Sequence, residues 1–96
     1  MTYEEIRNTE GVDKIAYHLT EECMELGQAA SKYARAVSGT NPTPTSTHDA
    51  FNSMVEELCD ILVICNVLGV MPSMEIMETK EQRWQDRLRN TAGKKD

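Results

Sequence analysis

Aromatic residues are scarce: one Trp, one Phe and three Tyr in 96 positions. No segment shows the alternating apolar and polar pattern of a half-buried strand, so a β-sheet core is excluded and an all-α fold is expected. Basic residues number ten against sixteen acidic, a net charge of −6. That deficit excludes a broad nucleic-acid or anionic-membrane surface. The longest apolar run, 61–71, is broken by Asn66 and Gly69. It falls well short of the roughly 20 residues that span a bilayer. The three cysteines, Cys23, Cys59 and Cys65, are odd in number and lack metal-ligand spacing. They read as reduced core residues. The opening MTYEEIRNTE is charged and has no apolar leader, so the expected location is cytoplasmic. Ninety-six residues make one small domain with a modest core of its own, and oligomerisation would enlarge it.

What the chain does contain is helical periodicity. A short helix is predicted over 2–8 and a long one over 12–37. The apolar positions Val12, Ile15, Leu19, Cys23, Leu26, Ala30, Tyr33 and Val37 recur in steps of three and four. At 1.5 Å per residue this helix would be roughly 40 Å long. Gly39 and the prolines at 42 and 44 end it. A third helix is expected over 47–68, with Ser46 or Thr47 as N-cap and Asp49 in its first turn. Its second half is apolar nearly all round, which predicts enclosure on all sides and hence a subunit interface. Residues 69–72 should turn. A fourth helix is expected over 73–90, followed by a polar tail over 91–96.

Two acidic motifs of one form lie in the second and third helices: Glu21-Glu22-Cys23-Met24-Glu25 and Glu56-Glu57-Leu58-Cys59-Asp60. Residues three apart on a helix share a face. Glu22 therefore pairs with Glu25, and Glu57 with Asp60. One such motif alone is usually a solvated face. Here Glu22 lies between Leu19 and Leu26 on the apolar stripe with Glu25 on its flank, Glu57 lines up with Ile61 and Ile64, and Asp60 with Ile64 and Val67, so both pairs are expected on buried faces. Glu21 and Glu56 point outward. Buried carboxylates without partners are costly. A hard divalent cation, Mg²⁺ or Mn²⁺, is the simplest neutraliser of an all-oxygen set. The Glu-x-x-His motifs of di-iron bundles are absent.

The pattern Glu-Glu-x-x-Glu followed by Glu-x-x-Asp on a later helix resembles the MazG-like all-α nucleoside triphosphate pyrophosphohydrolases, over nearly the whole chain. The spacing departs from compact members, with 31 residues between Glu25 and Glu57. The resemblance implies a helical bundle around an oligomeric four-helix core, with 1–90 as the catalytic domain. It implies Mg²⁺ ligation by Glu22, Glu25, Glu57 and Asp60. The implied reaction is hydrolysis of a nucleoside triphosphate to the monophosphate and pyrophosphate, a house-cleaning activity on the nucleotide pool. Glu21 or Glu25 would take the proton of the attacking water. The assembly would be a homodimer or homotetramer.

Other residues are candidates for substrate contact. Lys80, Arg83 and Arg87 share a face of the last helix and could meet phosphates, or could be a solvated basic face. Trp84 beside them, with Met77 and Leu88, reads as core. Lys32, two turns beyond Glu25, could reach a phosphate or pair with Glu25. His18, one turn before Glu22, reads as a pocket wall, and Asn41 as a turn or base-reading residue. Asn66, within the apolar run, should need a structural hydrogen bond. The rival readings are a narrower activity on dUTP, dCTP or a modified nucleotide, a nucleotide-sensing regulator, and a non-catalytic helical interaction module.

Overall fold

Gly11, Gly39 and Gly69 punctuate the chain, each at positive φ. A computed structural model describes residues 1–39 and 45–93. Four α-helices account for them, and no strand occurs among the described residues: α1 (Tyr3–Glu10), α2 (Val12–Ser38), α3 (Thr47–Leu68) and α4 (Met74–Gly93). Local chemistry sets their ends. The Glu5 amide donates to Thr2 Oγ1, the Asp49 amide to Ser46 Oγ and the Ile76 amide to Ser73 Oγ, so each hydroxyl caps a helix N-terminus. At Gly69 (φ 79°) the chain leaves α3 in the left-handed region, and the Val70 amide donates to Cys65 O. α1 runs two residues further than the sequence suggested. α4 runs to Gly93, three residues past the expected end of the helix at 90.

α2 and α3 pack along most of their length, and α1 closes one end of the pair. The seam residues of α2 that are buried or half-buried are Ile15, Leu19, Glu22, Leu26, Ala29 and Tyr33. Those of α3 are Ala50, Met54, Glu57, Ile61, Ile64 and Leu68. Both sets run in steps of four and three, the spacing of helices packed at a shallow angle. The densest apolar packing is at the α1 end, where Ile15, Ile64 and Val67 meet Ile6, Leu19 and Leu68. There Arg7 Nη1 donates to Val67 O at 2.6 Å, tying α1 to the last turn of α3. At the other end small residues, Ala29 and Ala50, let the backbones approach, and Tyr33 meets Phe51 edge to face at 5.7 Å.

The seam corrects several sequence expectations. Val12, Cys23, Ala30 and Val37 belong to the predicted stripe but are exposed, because α3 lies closer to the line through Ile15, Glu22 and Ala29. Cys23 and Cys59 are exposed rather than core, and Cys65 is half-buried. Asn66 is exposed, so water can satisfy the amide for which a structural hydrogen bond was expected. Trp84 is 63% exposed, with Met77 and Leu88 exposed beside it, so that stripe is not core within one chain. The reason is that α4 packs against none of the other helices. The radius of gyration is 17.9 Å. A compact chain of about 100 residues would have about 13 Å. Leu62 and Val63, in the apolar half of α3, also face outward.

Candidate functional site

Midway along the seam, the only non-apolar members of the two six-residue sets face each other: Glu22 from α2 and Glu57 from α3. Glu25, one turn on from Glu22 and exposed, completes a cluster. One carboxylate oxygen from each of the three lies within 4.8 Å of the others. Helical periodicity explains the arrangement. Glu22 occupies the seam position between Leu19 and Leu26, so packing α2 on α3 carries it inward. Glu57 does the same between Met54 and Ile61.

Each of the two seam glutamates has an inner oxygen without a partner. Glu22 Oε2 and Glu57 Oε2 are buried and accept no hydrogen bond. Glu22 Oε1 lies 3.2 Å from His18 Nε2, and its side chain is 14% exposed. Burial pushes the Glu22 carboxyl above its ordinary value, and Glu25 raises it further, while His18 pulls the other way. Glu57 is raised for the same leading reason, burial, followed by the charge of Glu25. Asp60 adds to both shifts, and it is exposed. It lies outside the three-oxygen cluster and lines a small hollow with His18, Glu22, Val63 and Ile64.

Beside the cluster a cleft of about 390 Å³ opens between α2 and α3. Glu25 and Glu57 form its acidic edge, Ala29 and Ala50 its apolar wall, and Gln28, Ser53 and Lys32 its polar side. Lys32 makes no ion pair among the described residues, so its ammonium is not committed to Glu25. The cleft therefore offers carboxylates at one edge and a cation on its wall.

The remaining sequence candidates are distributed otherwise. Glu21 and Glu56 are exposed, as predicted. Lys80, Arg83 and Arg87 gather around Trp84 on α4, away from the acidic cluster of the same chain. Asn41 lies outside the described residues. Gln28 and Ser53 were not anticipated. Their only signal is that each sits one turn from a cluster glutamate, Gln28 after Glu25 and Ser53 before Glu57.

The donor set suits a hard divalent cation. It is all oxygen, it carries formal negative charge, and two of its oxygens are held out of water without a hydrogen-bond donor. A proton shared among the carboxyls would relieve the same repulsion, and the upward pKa shifts describe that metal-free alternative. No helix among the described residues is long and apolar enough to cross a membrane. A scan of protein-family models and searches of curated proteins and of solved structures found no match to this chain.

Proposed function

We propose that the protein is a Mg²⁺-dependent nucleoside triphosphate pyrophosphohydrolase that works as a homo-oligomer, a dimer or a tetramer. It would hydrolyse a (d)NTP to the (d)NMP and pyrophosphate, resembling the MazG-like enzymes in its acidic motifs. The observation that carries this reading is the pair of buried, unpartnered oxygens of Glu22 and Glu57 beside the Glu25 carboxylate. Glu22, Glu25 and Glu57 would hold the cation, with Asp60 as a flanking fourth carboxylate. When bound, Mg²⁺ (or Mn²⁺) supplies neutralisation of phosphate charge and acidification of a water.

The chain's own residues have separable tasks. Lys32 faces the cleft and is free to pair with a phosphate. Ala29 and Ala50 leave room against the wall. Gln28 offers hydrogen bonds to the organic part of the substrate, and Ser53, whose hydroxyl donates to Asp49 O, can accept one. Of the two candidate bases, Glu25 lines the cleft and Glu21 faces solvent, and Glu25 would take a proton only where the cation rests on Glu22 and Glu57 in its place.

The test is pyrophosphate release from a panel of NTPs and dNTPs with and without Mg²⁺. Metal-dependent release, lost in Glu57→Gln, is expected. No release from any nucleotide, with Mg²⁺ still stabilising the fold, would move the protein to the nucleotide-sensing reading. One observation favours a second reading, a non-catalytic helical interaction module: α4 offers a whole amphipathic helix that its own chain leaves uncovered. Absence of both release and Mg²⁺ stabilisation would select it.

A further inference from the structure

α4 is 20 residues long and touches no other helix of its chain. Most helical stability in proteins comes from packing of an amphipathic face rather than from intrinsic propensity. α4 has such a face. Met77, Trp84 and Leu88 lie on one stripe, in steps of seven and four, and all are exposed. Lys80, Arg83 and Arg87 flank it. α3 carries a face of the same kind. Phe51, Val55, Leu58 and Leu62 recur in steps of four, three and four, and all are exposed. Val55, Leu58 and Leu62 lie off the seam that α3 shares with α2, and Phe51 borders that seam through its ring contact with Tyr33. The stripe runs at Leu62 into an apolar groove of about 520 Å³ formed with Val70, Met71 and Pro72.

We propose that α4 of one copy lies along the 51–62 stripe of a second copy, and that the exchange is reciprocal. Charge selects this pairing over the simpler one. Residues 1–73 carry eleven acidic and four basic side chains, whereas residues 74–96 carry five and six. Pairing two α3 stripes directly would press two strongly acidic bodies together and leave both α4 helices uncovered. Exchange instead sets a nearly neutral helix with a basic flank on an acidic body. It covers four apolar faces at once, and two-fold symmetry closes the assembly at two copies. The inference rests on the homo-oligomer part of the proposed function and is independent of the hydrolase part.

Trp84 is the only tryptophan, so its fluorescence reports on α4 alone. Sedimentation of the full chain should give twice the 10.8 kDa chain mass. Trp84 should emit at short wavelength and resist acrylamide quenching, and dilution should abolish dimer and shielding together. Leu58→Glu and Leu88→Glu should each weaken association by about 30-fold or more, the scale of an interface hot spot. Glu is a good helix former and both sites are exposed within one copy, so circular dichroism should show no loss of helicity beyond that seen when the wild type is diluted to separate copies. A monomer at all concentrations would overturn the proposal, whether or not Trp84 is shielded. So would a dimer whose Trp84 stays open to quencher and in which Leu88→Glu is silent. Exchange of this kind in a protein that releases no pyrophosphate would support the pairing and overturn the hydrolase reading.

Discussion

The chain carries two clusters of like charge at helical spacing, one acidic on α2 and α3 and one basic on α4, and they have opposite physical standing. Glu22 and Glu57 are pinched between packed helices, and each holds an oxygen away from water with no donor to meet it. Lys80, Arg83 and Arg87 stand on a helix surrounded by solvent, where water and salt screen them. Spacing alone made both look like sites. Packing against a second helix gives the acidic cluster its perturbed carboxyls, and the lack of packing leaves the basic cluster inert within one chain. A like-charge motif has its carboxyls perturbed when a neighbouring element removes its solvent.

The largest effect expected from this contrast is on hydrolysis. Glu57→Gln should cut pyrophosphate release by about a thousandfold or more, the equivalent of several kcal/mol of lost metal assistance. The exposed Glu56→Gln should leave it nearly unchanged. Equal losses at both positions would erase the distinction between seam and surface. Lys32→Gln should lower kcat/KM by about 10- to 100-fold, the range of one charge-assisted hydrogen bond.

Metal should act on the seam alone. A ligand at about a hundredfold over its Kd stabilises the native state by about 2.7 kcal/mol. For a domain of this size that corresponds to a rise in Tm on the order of 10 °C with Mg²⁺. Na⁺ at equal ionic strength should give no such rise. Identical melting curves in the two salts would return the glutamates to the status of the α4 cluster.

Without metal, pH should sharpen the same point. The folded-state carboxyls of Glu22 and Glu57 lie above the ordinary value of 4.5, so the native state holds their protons more tightly than the unfolded chain does. Protonation therefore favours folding. This contribution is present below that value and is lost as pH rises from it through the raised folded pKa. Metal-free Tm should decline over that window, and Glu57→Gln should flatten the decline. A metal-free Tm that rises with pH there, by the same amount in both proteins, would show that the seam glutamates do not set it.

The smallest effect compares two caps. Ser46→Ala removes the cap of a helix that is part of the packed body and should cost about 1 kcal/mol of global stability. Ser73→Ala removes the cap of α4 and, at concentrations where copies are separate, should fray that helix while the body's melting stays put. Hydrogen exchange at the Ile76 amide, which donates to Ser73 Oγ, reads the difference.

The helices were largely legible because their signals are local. Ser46, Gly39 and Gly69 mark ends by chemistry that acts within one turn. The inward placement of Glu22 and Glu57 was legible because a carboxylate on an apolar stripe has one direction to face once that stripe packs. Glu25 and Asp60, expected on buried faces with them, are exposed because α2 and α3 cover only the centre of each stripe. Cys23 and Val37 were misplaced because a stripe of eight residues is wider than the strip that one neighbouring helix covers. Trp84 was misplaced because a helix's apolar face reveals that something covers it, but not that its own chain leaves it open. The Arg7 bond to Val67 O joins residues 60 positions apart, and no periodicity encodes such a meeting.

That bond also sets the two ends of the seam apart. Val67 O belongs to the last turn of α3, where the helix dipole is negative, and the guanidinium meets it there. The same end holds Ile15, Ile64 and Val67, while toward the opposite end the seam includes the small residues Ala29 and Ala50 and the Tyr33–Phe51 ring contact. The α2–α3 pair is thus a zipper with one stitched end. The acidic cleft, lined by Glu25, Glu57, Ala29 and Ala50, therefore lies on the side of the glutamates away from the stitch, so its width and the apolar packing at the α1 end are set by different residues.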